Sequence, residues 1–114
     1  MPECRLTLSG YRAVWFVALF DLPVKTREAR RDYARFRKEL RKRGFSMLQY
    51  SVYARFLPSE EAWDAYRRQV VNLLPPQGEV RLLAITDRQF GKMETYRARK
   101  LATSAKRPGQ LLLF

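Results

Sequence analysis

The feature that most limits what this chain can fold into is an unbroken apolar run at residues 13–20, AVWFVALF. The run is rich in β-branched and aromatic residues and is far shorter than the roughly 20 residues that span a bilayer. A strand with no polar positions needs cover on both faces, so we expect it to be the central strand of a sheet. Asp21 and Pro23 end the run.

Two amphipathic helices are predicted from capping signals and apolar spacing. The first begins at Thr26 and ends at Gly44, and its apolar residues recur at steps of four, three and four: Ala29, Tyr33, Phe36 and Leu40. The second begins at Ser59 and is stopped by the prolines at positions 75 and 76, and its apolar stripe is Trp63, Tyr66, Val70 and Leu73.

The remaining segments read as strands. Residues 45–57 alternate and suit either one bent strand or two short strands that meet near Gln49, Tyr50 and Ser51, while residues 79–87 form another strand that ends in Asp87. The order is therefore β-α-β-β-α-β, an α+β fold of ferredoxin-like type with two helices over one face of an antiparallel sheet. We expect this domain to occupy residues 1–90.

The other sheet face also needs cover. Tyr53, Phe56 and the large side chains of the first strand are too many for a solvated face, so we expect a homodimer through the sheet faces. Residues 91–114 are expected to be a basic C-terminal extension, either a helical turn or an extended arm or strand. Its apolar tail, residues 110–114, should dock on the other subunit or on a partner by strand addition.

Positive charge is concentrated in two segments. The chain of 114 residues has a formal net charge of +12 and no histidine. Residues 22–44 include ten basic and three acidic residues, and residues 88–107 include seven basic residues and one acidic residue. A helix face that is merely solvated would carry balanced positive and negative charge. The excess of positive charge therefore favours a phosphate backbone as the partner. The candidate nucleic-acid-binding residues are Lys25, Arg27, Arg30, Arg31, Arg35, Lys38, Arg41 and Lys42.

Composition also excludes several classes of site. One cysteine, Cys4, cannot form an intramolecular disulfide, and without histidine a zinc-type site has no ligands, so a bound metal should be hard and oxygen-ligated. Membrane lipid is a competing polyanion, but no segment is apolar enough to span a bilayer. No secretory signal is recognisable, so we expect a cytoplasmic protein without a membrane partner.

Asp21 is the candidate metal-binding and catalytic residue. Its position after a buried strand fits ordinary turn chemistry. In a dimer, however, two copies of Asp21 can approach across the two-fold axis and share Mg²⁺, which would polarise a phosphodiester. Asp87, at the end of another strand, is a weaker candidate to assist it.

Three segments together resemble a known family: residues 17–23 (VALFDLP), residues 33–37 (YARFR) and residues 44–53 (GFSMLQYSVY). The chain is similar, from about residue 13 to residue 90, to the second of the two core CRISPR adaptation proteins. These are small ferredoxin-like Cas proteins described as endoribonucleases. The resemblance implies a homodimer that bridges two dimers of the adaptation integrase and holds double-stranded protospacer DNA on its basic surface. It also implies that Asp21 matches the metal-binding aspartate of the family, with Mg²⁺ as its ion.

Whether the chain is an enzyme stays open. The resemblance implies two different roles, since some members of the family are described as metal-dependent RNA or DNA endonucleases, whereas the role implied in spacer integration is structural. One carboxylate per subunit and no histidine make a sparse active site. The alternatives are a stand-alone, toxin-like Mg²⁺-dependent endoribonuclease and a non-catalytic RNA-binding protein of the same fold, such as a ribosomal or RNA-packaging protein.

Overall fold

The computed structural model describes residues 12–101 and contains four strands in one sheet, three helices and a small hairpin. In chain order the elements are β1 (Val14–Asp21), α1 (Arg27–Lys42), β2 (Ser46–Gln49), β3 (Val52–Leu57), α2 (Glu60–Val71), β4 (Glu79–Thr86), α3 (Asp87–Gly91), β5 (Tyr96–Arg97) and β6 (Lys100–Leu101). The predicted β-α-β-β-α-β order is confirmed.

The sheet has the strand order β2-β3-β1-β4, and each neighbouring pair is antiparallel. The apolar run is therefore a central strand, as predicted, with β3 on one side and β4 on the other. Of its eight residues, only Leu19 and Asp21 are not buried. This arrangement is the ferredoxin-like fold.

The capping signals place the helices correctly, although one cap works differently from the prediction. The hydroxyl oxygen of Thr26 accepts a hydrogen bond from the Ala29 amide at 3.0 Å, which is ordinary N-cap geometry. Ser59 occupies the N-cap of α2, but its side chain makes no capping hydrogen bond. Residues 45–57 form two strands joined by a tight turn in which Ser51 has φ of 63°.

The main core lies between the sheet and helices α1 and α2. Phe20 packs edge-on against Phe36, with ring centroids 5.1 Å apart, and stacks on Tyr53 at 5.7 Å. Tyr53 is fully buried on this helix side, so its predicted place on the opposite face is wrong. It lies three residues from Phe56 in one strand, and side chains three apart must point to opposite faces.

The opposite face is covered at one end by the chain itself. Phe90 of α3 stacks on Trp15 of β1, with ring centroids 3.8 Å apart and planes 9° from parallel, and Phe56 meets Trp15 edge-on at 5.5 Å. A capping box formed by Thr86 and Gln89 starts α3. Farther along the same face, Leu83 remains 47% exposed. This half-covered face is the surface on which the homodimer was predicted.

The C-terminal extension is described only in part. Helix α3 ends at Gly91, the first residue of the extension, and the β5–β6 hairpin lies within the extension. The apolar tail at residues 110–114 lies outside the described residues, and the division at residue 90 stays a prediction. Between residues 12 and 101, no helix has the length and apolarity needed to cross a bilayer.

A prediction follows for the glycine that ends α1. Gly44 has φ of +87°, and a Cβ there would overlap the guanidinium of Arg55, which packs 4.6 Å from the ring centroid of Tyr66. We expect Gly44→Ala to lower the free energy of unfolding by about 2 kcal/mol in urea titrations, because strain and displacement of Arg55 add. Gly91→Ala is the matched control, since its Cβ would meet nothing within 4 Å. Equal effects of the two substitutions would contradict this account.

Candidate nucleic-acid interface and carboxylate site

The basic residues of α1 form a stripe on the side of the helix that faces away from the sheet. Tyr33, Phe36 and Leu40 are the buried residues of α1 and define its inner side. With 3.6 residues per turn, Arg27, Arg31, Lys38 and Lys42, at steps of four, seven and four, share the outer side. All eight predicted binding residues are exposed: Lys25, Arg27, Arg30, Arg31, Arg35, Lys38, Arg41 and Lys42.

The acidic residues of α1 all lie along one flank of this stripe, since Glu28, Asp32 and Glu39 are also separated by steps of four and seven. Glu39 binds Arg43 at 2.7 Å and Lys42 at 3.6 Å, and the hydrogen bond from Arg43 holds the pKa of Glu39 below its ordinary value.

Other cations of the stripe keep their charge uncompensated. The carboxylate of Asp32 lies 3.9 Å from the guanidinium of Arg35, which is close to the longest distance counted as an ion pair. Within the described residues, Arg27, Arg31, Lys38 and Arg41 make no side-chain hydrogen bond or ion pair. The positive potential of the stripe is therefore not cancelled locally.

Helix α2 provides a contrast within the same molecule. Arg67 and Arg68 both bind Asp64, at 2.8 Å and 2.7 Å. The hydrogen bond from Arg68, followed by that from Arg67, lowers the pKa of Asp64. The arginines of α2 are thus paired with an acidic residue of their own helix, whereas the outer stripe of α1 has an excess of positive charge.

Asp21 is the last residue of β1 and is exposed. Because side chains alternate along a strand, it lies on the face opposite the helices, as Leu19 does. It is in register with Glu79 of β4, whose carboxylate lies 3.3 Å from Arg81. An open depression of about 230 Å³ is lined by Leu19, Phe20, Asp21, Glu79 and Arg81.

A glycine holds the backbone beside Asp21. Gly78 has φ of +95°, and a Cβ there would lie 2.7 Å from both the carbonyl oxygen of Asp21 and the side chain of Leu22. In the part of the chain that the structure describes, no three acidic, cysteine or histidine side chains come together as a metal site. A cation at Asp21 would therefore need water or a second subunit for its remaining ligands.

Asp87 does not belong to this site. It follows the C-terminal end of β4, and in an antiparallel pair that end lies beside the start of β1, where Val14 faces Thr86. Asp21 is seven residues farther along β1, or about 23 Å away. The Oδ1 of Asp87 instead accepts a hydrogen bond from Nε1 of Trp15 at 2.9 Å. The hypothesis that Asp87 assists Asp21 within one chain is wrong.

Sequence reasoning did not select Tyr50, which is 70% exposed in the turn between β2 and β3. Its ring stacks on Tyr33 of α1 with centroids 5.8 Å apart, and the hydroxyls of Tyr33 and Ser51 are hydrogen-bonded at 2.9 Å. Arg37 lies 5.7 Å from the centroid of the Tyr33 ring. Hydrogen bonding to Tyr33 raises the pKa of Tyr50 above its ordinary value. The available signal was an aromatic residue in a predicted turn beside a basic helix.

These features define a class of protein, a small ferredoxin-like domain with unbalanced positive charge on its first helix and a carboxylate at the end of its central strand. Residues 14–93, which include both features, match the family model described as CRISPR associated protein Cas2. The chain therefore belongs to the Cas2 family, and the resemblance seen in the sequence is confirmed.

Curated relatives agree with this assignment. The chain is 46% identical over 101 residues to a CRISPR-associated endoribonuclease Cas2 of Parvibaculum lavamentivorans, covering 89% of this chain and 100% of the relative. It is 41% identical over 107 residues to the protein of the same name from Flavobacterium psychrophilum, and the match covers 94% of this chain and 93% of the relative. Membership in this family argues against a ribosomal or RNA-packaging protein.

The two aspartates should differ in their effect on stability. Trp15 is 2% exposed, so Asp87→Ala leaves a buried indole N–H without its acceptor and should lower the free energy of unfolding by about 1–3 kcal/mol. Asp21→Ala should change it by less than about 0.5 kcal/mol, since Asp21 is exposed. Urea unfolding followed by tryptophan fluorescence measures both. A larger loss from Asp21→Ala than from Asp87→Ala would refute these assignments.

Proposed function

We propose that this chain acts in the cytoplasm in CRISPR adaptation, as a homodimer that holds double-stranded DNA against α1 and bridges dimers of the adaptation integrase. Membership in the Cas2 family supports the CRISPR role. The observation that carries the DNA-binding part is the outer stripe of α1, whose central cations have no acidic partner in the described part of the chain.

The stripe suits a phosphate backbone in both length and chemistry. From Arg27 to Lys42 it extends about 22 Å along the helix at 1.5 Å per residue. Arginine guanidinium groups bind phosphate oxygens through two parallel hydrogen bonds, and neutralising phosphates releases condensed counterions. Contacts of this kind position a duplex without reading its bases, as expected of a protein that must accept many different spacer sequences.

A dimer through the open sheet face would double this surface. Leu83, 47% exposed, and Leu19 lie on that face, and burying apolar area there would stabilise association. A two-fold axis through the face would bring both copies of Asp21 to the same interface, because Asp21 lies on this side of the sheet. Two carboxylates and water would then suit Mg²⁺.

A second candidate function is a Mg²⁺-dependent endoribonuclease. It is favoured by the name shared by the curated relatives and by the exposure of Asp21. Asp21 of each subunit would hold the ion, which when bound polarises a phosphodiester toward attack by water. The chain has no histidine to act as general base. The two candidates differ in whether Asp21 is needed for the activity.

Two double variants of equal net charge test the interface. Arg31→Gln with Lys38→Gln removes cations that have no partner, whereas Arg67→Gln with Arg68→Gln removes cations held by Asp64. We expect the first to bind duplex DNA at least about tenfold more weakly in 0.1 M salt and to reduce the slope of log affinity against log salt by about 2 for each subunit in contact. The second should bind within about twofold of wild type.

Fluorescence anisotropy across a salt series gives both affinity and slope. Equal losses from the two double variants would mean that only bulk charge matters, and this would contradict an interface on α1.

A further inference from the structure

The turn between β2 and β3 presents an aromatic ring to solvent on a rigid base. The carbonyl of Ser51 accepts a hydrogen bond from the Phe20 amide at 3.0 Å, and the hydroxyl of Ser51 is bonded to that of Tyr33. The inner face of the Tyr50 ring lies on Tyr33, while 70% of Tyr50 remains exposed. The ring is therefore held against Tyr33 while most of its surface is open to solvent.

The charges that α1 places beside this ring are of one sign. Arg30, Tyr33, Arg37 and Arg41 are separated by three, four and four residues, so they share one flank of α1. The acidic residues of α1 occupy the other flank. Arg37 and Tyr33 are in contact through a cation–π interaction. An exposed aromatic ring bordered by arginines is the combination that binds single-stranded nucleic acids, with phosphates on the cations and a base on the ring.

We propose that the outer face of Tyr50 stacks an unpaired base of a single-stranded nucleic acid, while Arg30 and Arg37 hold the adjacent phosphates. This inference rests on the proposed function, since it assumes that α1 binds nucleic acid. It extends that function from a backbone contact, available to any duplex, to a contact that requires an unstacked base. Bases inside a blunt duplex are already stacked and cannot use the ring.

The position of Tyr50 gives this contact a consequence for Asp21. Tyr50 and Asp21 each lie one residue from the hydrogen bond that joins Phe20 to Ser51, so both are at the same end of the sheet. A strand anchored by a base on Tyr50 would run past the end of β1. Shielding of Tyr33 alone does not account for Tyr50, because an aliphatic residue would cover Tyr33 without leaving an aromatic face in solvent.

The experiment uses the full-length protein and a short single-stranded RNA that contains one fluorescent adenine analogue, whose emission is quenched by stacking. Tyr50→Phe keeps the ring, and Tyr50→Leu keeps apolar cover over Tyr33 but removes the aromatic face. Tyr96→Leu, at another exposed tyrosine with 58% exposure, is the control. A single-stranded DNA of the same sequence and a blunt duplex complete the set of probes.

We expect wild type, Tyr50→Phe and Tyr96→Leu to quench the analogue in the single strands. Tyr50→Leu should lose the quenching and bind single strands about tenfold more weakly, while its affinity for the blunt duplex stays within about twofold. Quenching retained by Tyr50→Leu would overturn the proposal, and so would equal losses on single strands and duplex. Failure of the wild-type protein to bind the duplex would contradict the proposed function instead, and the single-strand data would still decide the role of Tyr50.

Discussion

Burial of β1 on both faces is the constraint on which the rest of the structure depends. Its alternate side chains serve two separate cores, with Phe16 and Phe20 beneath the helices and Trp15 and Val17 on the opposite side. The helices bury Phe16 and Phe20 of the first. The second is covered at one end by α3 and is left half-covered toward Asp21, so the fold carries an unfinished apolar surface beside its candidate metal ligand.

Helix α1 carries the functional argument because it has two different sides. One side packs against the sheet through Phe36 and Leu40, which are almost fully buried. The outer side holds cations that repel one another in the free protein, and a phosphate backbone would relieve this repulsion. The local pairing of arginines on α2 through Asp64 indicates that the excess on α1 is a property of that helix.

Periodicity made the order of elements predictable from the sequence, because β1 and α1 have clear patterns of burial and capping. The predictions that were wrong concern features that depend on tertiary geometry. Tyr53 was assigned to the wrong face because alternation was not counted from Phe56, and Asp87 was placed near Asp21 because strand direction was not considered. The exposure of Tyr50 depends on the turn before Ser51, where φ is 63°, and apolar spacing does not reveal it. The roles of Asp21 and of the basic residues on α1 remain proposals.

The most direct test of the account is spacer integration in vitro with the cognate integrase. The comparison is between wild type, Asp21→Ala and a variant in which Arg27, Arg31, Arg35 and Lys38 are replaced by Gln. If the protein acts by holding DNA, we expect Asp21→Ala to integrate spacers at the wild-type rate and the variant with the neutralised helix to fail. Normal integration by the neutralised variant would contradict the account. Failure of Asp21→Ala while it still binds DNA would also contradict it and would favour the nuclease.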